Sequence, residues 1–253
     1  MTTVLVHGNP EVDAIWRPLV AALADLGTAD VFCLSPPGFG AAVPADFTPT
    51  MASYADWLVA ELEVIHAEHG AIDLVGHDWG AGHVFGALVR RPDLVRTWAT
   101  DVVGLLHPDY EWHDAAHAWQ TPDVGEQVID ALVSMSAAER AAAFAGLGLP
   151  DDILAEVAAG VTPAMGQCVL GLYRDAIQPA MAELGRRVLA AELPPGLGIV
   201  ATADAYVPRR LGEEILDQLG AERVVLDGRG HWWMIEDPQR AAAALIDFWA
   251  RSR

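Results

Sequence analysis

Cysteine is scarce: Cys33 and Cys168 are the only two in the 253-residue chain. They lie far apart, so a disulfide framework and a zinc site of paired cysteines are excluded. Cys33, in the apolar stretch DVFCLSPPG, reads as a small buried hydrophobe. Basic residues are few, 15 against 35 acidic ones, for a net charge of -20. Nucleic acid and anionic membrane would be repelled by such a surface and are excluded as partners. The charge keeps the molecule soluble, and the substrate that suits it is small and neutral. No apolar run approaches membrane-spanning length without a charge or a glycine. The opening MTTVLVHGNP enters a strand at once, without a basic region, a long apolar segment or a cleavage site, and the expected location is cytoplasmic. Repeats and low-complexity linkers are also lacking. What is plentiful is apolar residues, 53% of the chain, ample for the core of one large domain.

Strand and helix signals alternate through the first hundred residues. TVLVH at 3–7 is a β-branched strand ending in the turn GNP. A helical pattern on Ile15, Leu19, Leu23 and Leu26 follows, closed by Gly27. DVFCLS is a second strand, and TMASYADWLVAELEVIHAEHG a second helix ending at Gly70. IDLVGH is a third strand, GAGHVFGALVRRPDLV the helix behind it, and VRTWATDVVG a fourth strand. Such alternation predicts an α/β fold, a doubly wound and mostly parallel sheet. Between residues 105 and 193 the strands stop. Alanine-rich helical segments replace them: PDVGEQVIDALVSM, SAAERAAAFAGLG, PDDILAEVAAG and TPAMGQCVLGLYRDAIQ. Alternation resumes with GLGIVATAD, PRRLGEEILDQLG, ERVVLDGRGH and a last helix from DPQ. The expected organisation is a core of residues 1–104 and 194–253 interrupted by a helical cap at 105–193.

The third strand runs into Gly76-His77-Asp78-Trp79-Gly80. This is the G-x-S-x-G outline of a nucleophile elbow with aspartate in place of serine. Glycines on both sides allow a strained central residue exposed above the sheet. The plainer reading of Asp78 is a helix N-cap, but a cap does not need glycine at both flanks. A carboxylate nucleophile suits attack on an sp3 carbon, giving an ester that activated water then hydrolyses. His231, in the glycine-rich loop DGRGHWWM after the last strand, has the chain position of the base. Asp204, ending ATAD, is the expected orienting acid. Asp101 is its rival, placed inside the apolar alternation of the fourth strand rather than after it. The backbone N–H groups of Asn9 and Trp79 are the expected oxyanion donors, with His7 and Gly8 shaping the HGNP turn. His77 and His83 read as structural, and Trp232, Trp233 and Met234 as packing at the mouth of the site.

Taken in order, HGNP, PPGFG, GHDWGAG, ATAD and GRGHWW resemble the α/β-hydrolase fold family over the whole chain, with the helical insertion as its cap. The family usually opens with two more strands, so the sheet is expected to be shorter at that edge. Aspartate in the elbow narrows the resemblance to epoxide hydrolases and the haloalkane and haloacetate dehalogenases. The last hold a substrate carboxylate with arginines after the nucleophile, and here Trp79 to His83 contain none. The resemblance implies catalysis without metal or cofactor, with water as second substrate. Epoxide hydrolases protonate the ring oxygen from cap tyrosines. GLYRDA resembles their motif and makes Tyr173 the expected acid, with Tyr110 in HPDYEWH a weaker match. On these tyrosines the favoured expectation is an epoxide hydrolase. The alternative is a haloalkane dehalogenase, whose halide would take N–H donors from Asn9 and Trp79. A non-catalytic ligand-binding protein on the same fold is the third possibility. Trp112, Trp119 and Trp232 are expected around the substrate pocket, the first two as indole donors or as packing.

Overall fold

The computed structural model describes residues 2–252. Strand β1, Thr2–Val6, is buried throughout. A 3-10 helix, Asp13–Trp16, leads into α1, Arg17–Asp25, and then β2, Asp30–Leu34. Helix α2, Met51–His69, starts at a Thr50 cap whose side chain accepts from the N–H of Ser53, the ordinary use of threonine at this position. Strand β3, Ile72–Gly76, feeds α3, Trp79–Leu88, and β4 spans Val95–Thr100. After a 3-10 turn, Val103–Leu106, come α4 (Asp114–Gln120), α5 (Val124–Ser134), α6 (Ala137–Phe144), α7 (Asp151–Gly160), α8 (Pro163–Asp175) and α9 (Ala180–Ala190). Then follow β5 (Gly196–Ala201), α10 (Arg209–Leu219), β6 (Glu222–Leu226), α11 (Trp233–Glu236) and α12 (Pro238–Arg251).

The six strands form one sheet in the order β2-β1-β3-β4-β5-β6, and every neighbouring pair is parallel. Successive side chains of a strand point to opposite faces, and the core is divided accordingly. Val4, Val6, Leu74 and Trp98 join the layer with α2, α3 and α10. Leu5, Val75 and Ala99 join the opposite layer, with α1 and α12. The helices between β4 and β5 belong to both layers. Cys168 and Tyr173 of α8 pack in the first, Ile153 and Val157 of α7 in the second.

Four differences from the sequence reading have physical causes. Helices α4 and α9 go beyond the helical segments expected there. α4 is a seven-residue helix that buries only Ala116, too little for a stripe. α9 does have one, Met181, Leu184 and Val188, diluted by alanine and arginine. Cys33 is partly exposed, because β2 is the sheet edge. Trp233 and Met234 are fully buried, under the site in the second layer and not at its mouth. Among the described residues no single helix is long and apolar enough to cross a membrane.

Candidate active site

The parallel register delivers the chemistry-bearing residues to one edge of the sheet. Val6 pairs with Gly76 and Gly76 with Thr100, so the next residues His7, His77 and Asp101 emerge side by side. Asp204 follows β5, and His231 follows β6. This is the carboxyl end of the strands, where open α/β sheets bind ligands.

Asp78 occupies the N-cap position of α3 without making a capping hydrogen bond, at φ 50 and ψ -123. A non-glycine residue there is strained. What holds it is close packing. A Cβ on Gly80 would lie 2.0 Å from the carbonyl oxygen of Val6, and one on Gly76 would lie 2.8 Å from the backbone of Ala81. Helix α3 therefore sits directly on the end of β1, and only glycine permits the approach. A Cβ on Gly8 would strike Asp78 Oδ2 at 2.2 Å, so the HGNP turn lies equally close to the carboxylate.

The Asn9 backbone N–H donates to Asp78 Oδ2 at 3.0 Å. Trp79 is the first residue of α3, where a backbone N–H has no partner inside the helix. His231 Nε2 faces Asp78 Oδ1 at 3.9 Å, while its Nδ1 bonds Asp204 Oδ2 at 2.8 Å. Burial disfavours the imidazolium of His231, and His77 pushes the same way. The bond to Asp204 and the charges of Asp204 and Asp78 outweigh both, leaving its pKa above the ordinary 6.5. Burial raises Asp78, opposed by His231. Burial pushes Asp204 up, but the bond to His231, the charge of that ring and the N–H of Tyr206 together bring it below its usual value.

Asp101 lies just past β4, which ends at Thr100, and not inside the strand as its apolar neighbours suggested. Its partners are His77 Nδ1, the N–H of Asp78 at 3.0 Å and the indole of Trp233 at 2.6 Å. His231 is not among them. Asp101 and Asp204 line the same small cavity of about 40 Å³, yet each serves a different histidine. His77 Nε2 faces Glu11 Oε1 at 3.2 Å. The carboxylate of Glu11 also takes the Gly8 N–H at 3.1 Å and the Trp232 indole at 2.5 Å. Trp232, expected at the substrate pocket, thus has its polar edge turned to Glu11. Glu11, His77 and His231 come within 4.8 Å of one another, a spacing that a metal could use. Both nitrogens of His77 are engaged by carboxylates, however, so the group is built as an ion-pair network.

Above Asp78 lies an aromatic box. Trp79 stacks on Trp112 with ring centroids 5.7 Å apart. Tyr173 lies 5.4 Å from Trp79, 5.3 Å from Trp112 and 4.7 Å from Trp119. The Tyr173 hydroxyl donates a long bond, 3.5 Å, to Asn9 Oδ1, and that of Tyr110 reaches the Tyr206 carbonyl at 3.5 Å. Burial first, then the charge of Asp78, raises both phenols well above their ordinary pKa. The buried donors Asn9 Nδ2, Trp112 Nε1 and Trp119 Nε1 have no partner. Sequence reasoning missed Glu11 and Tyr206. Tyr206 packs 4.6 Å from His231, and its N–H donates to Asp204 at 2.8 Å. Its position two residues after Asp204 was the available signal. Glu11 could have been noticed as a carboxylate two residues beyond Asn9 in the HGNP turn.

Residues 3–244 match the Alpha/beta hydrolase family. A haloalkane dehalogenase of Mesorhizobium japonicum is 27% identical over 139 residues, which is 51% of this chain and 42% of that protein; the matched stretch is thus under half its length. Among solved structures, a loop variant of a haloalkane dehalogenase from Bradyrhizobium elkanii has a TM-score of 0.74 at 23% identity, covering 99% of this chain and 91% of its own. A thermophilic esterase from Thermogutta terrifontis reaches 0.75 at 21% identity, covering 100% and 90%. An esterase and a dehalogenase fit equally well, so the backbone alone does not select the chemistry.

Proposed function

The chain belongs to the Alpha/beta hydrolase family, and from that premise we propose that it is a haloalkane dehalogenase acting on a small neutral substrate. An Asp78 carboxylate oxygen forms a bond to the sp3 carbon, and the carbon–halogen bond breaks with its electron pair leaving on halide. His231, oriented by Asp204, then takes a proton from water. The resulting hydroxide equivalent adds to the ester carbonyl while the Asn9 and Trp79 N–H groups bear the oxyanion. Collapse expels the alkoxide, which leaves as the alcohol with the proton held by His231, and the carboxyl proton of Asp78 passes to solvent, restoring both groups.

The observation that carries this reading is Asn9. Its backbone N–H is on the nucleophile, and its side-chain Nδ2 is buried without a partner. An unpaired buried donor is costly to leave unmade. Here it is repaid when a departing anion accepts from it, and a halide needs such a donor and no proton. The haloalkane dehalogenase relative in sequence supports the same choice over the epoxide hydrolase expected from the tyrosines. The epoxide reading keeps one observation in its favour: Tyr173 and Tyr110 are both within the field of Asp78 and held protonated, as a ring-opening acid must be.

The purified protein is to be assayed side by side on a bromoalkane and a styrene-type epoxide. Bromide release from the first is expected, and diol from the second without bromide would reverse the assignment. A His231→Gln variant exposed to the active substrate should carry a stable adduct on the peptide containing Asp78, read by mass spectrometry. Unmodified protein, with wild type active, would rule out the covalent route.

A further inference from the structure

Beneath Asp78 lies a second set of charged groups that the hydrolytic scheme does not use. Glu11, His77 and Asp101 are at most 2% exposed, and they come from three separate segments: the turn after β1, the elbow, and the end of β4. Both ring nitrogens of His77 face a carboxylate, Nδ1 on Asp101 and Nε2 on Glu11. A neutral imidazole has one N–H and could satisfy only one of them; the imidazolium has two. The far oxygens of the same carboxylates hold backbone. Glu11 Oε2 takes the N–H of Gly8, next to the Asn9 donor, and Asp101 Oδ1 takes the N–H of Asp78. The chain also enters a left-handed conformation at Val102, φ 41, which a β-branched residue adopts only when its surroundings enforce it. This strained step directly follows Asp101.

We propose that Glu11, a His77 imidazolium that stays charged while His231 titrates, and Asp101 form a positioning cluster. It ties the oxyanion turn to the nucleophile's backbone and sets a fixed positive charge beside His231. The rings of His77 and His231 are 4.5 Å apart. The cluster rests on the assignment of His231 as the base. A second cation so close is unfavourable, so His77 opposes protonation of His231, while Glu11, Asp78 and Asp204 favour it. The other groups against His231 are Tyr206 from the loop after β5, Trp232 and, from the start of α4, His113. Those against His77 are His7 and the rings of Trp16 and Trp233. Of all these, Glu11 is the anion that can be neutralised without touching nucleophile, base or orienting acid.

Nitrogen-15 NMR of the histidine rings in the whole protein tests the cluster without relying on turnover. In wild type, both His77 nitrogens should remain protonated throughout the range in which His231 titrates. In Glu11→Gln, whose amide oxygen can still accept from Nε2 of His77 while its NH2 gives up the bond from the Gly8 N–H, the His231 pKa should fall by roughly one unit, and the acid limb of ester hydrolysis should move down with it. A singly protonated His77 in wild type overturns the proposal, and so does a His231 titration that Glu11→Gln leaves in place. If the ring pKa moves and the acid limb does not, the cluster stands and the role of His231 as base fails. Should Glu11→Gln not fold, the wild-type spectrum of His77 decides alone.

Discussion

At the scale of single residues, the two chemistries differ in what the leaving group needs. Halide takes N–H donors, and an alkoxide takes a proton. Asn9→Ala keeps the backbone N–H on Asp78 and removes the buried amide Nδ2. Tyr173→Phe keeps the ring in the aromatic box and removes its hydroxyl. On a bromoalkane, Asn9→Ala should cost about 2 to 4 kcal/mol of transition-state stabilisation, roughly 30- to 1000-fold in kcat/KM, while Tyr173→Phe changes it little. The reverse order, measured on an epoxide, would assign the proton donor to Tyr173.

At the scale of elements, the site depends on how closely α3 seats on the sheet. Gly80 brings the first turn of the helix onto the last carbonyl of β1, and a methyl group at that point meets backbone at 2.0 Å. Backbone cannot rotate away as a side chain can. Gly80→Ala should therefore lower stability by about 1 to 3 kcal/mol or more, seen as a lower Tm, and withdraw activity beyond that loss because Asp78 moves with the helix. A control exists in Gly146, where an added Cβ meets nothing within 4 Å. Gly146→Ala should leave both quantities unchanged.

At the scale of the molecule, buried charge makes stability depend on pH. Burial works against ionised Glu11, but His77 outweighs it and holds the group down at about 2, from an ordinary 4.5. A folded-state pKa below the unfolded one means stability that is whole above 4.5 and disappears as pH falls toward 2. His77 has the opposite sign: its pKa is raised, so its contribution is whole below 6.5 and is lost as pH rises through the elevated value. Thermal melts from pH 5 to pH 2 should show a steeper fall of Tm in wild type than in Glu11→Gln. Equal slopes would mean that Glu11 is not ionised against His77.

The sequence by itself determined the alternation of strands and helices, the glycine-flanked aspartate of the elbow, and the chain order Asp78, Asp204, His231. These are local patterns: hydrophobic periodicity, and glycines where backbone must approach backbone. It also named Tyr173, Trp79, Trp112 and Trp119, which the fold gathers over one carboxylate. Only the tertiary structure decided which acid serves which histidine. Along the chain Asp204 is the favoured acid and Asp101 reads as part of its strand; the structure shows that Asp101 too follows a strand, which ends at Thr100, and gives it a histidine of its own. The parallel register pairs Gly76 with Thr100 and so sets Asp101 beside His77, while Asp204 emerges from the next strand and meets His231. Glu11 was invisible for the same reason. Its partners His77 and Trp232 are 66 and 221 residues away, and only lateral strand order brings such distant segments together.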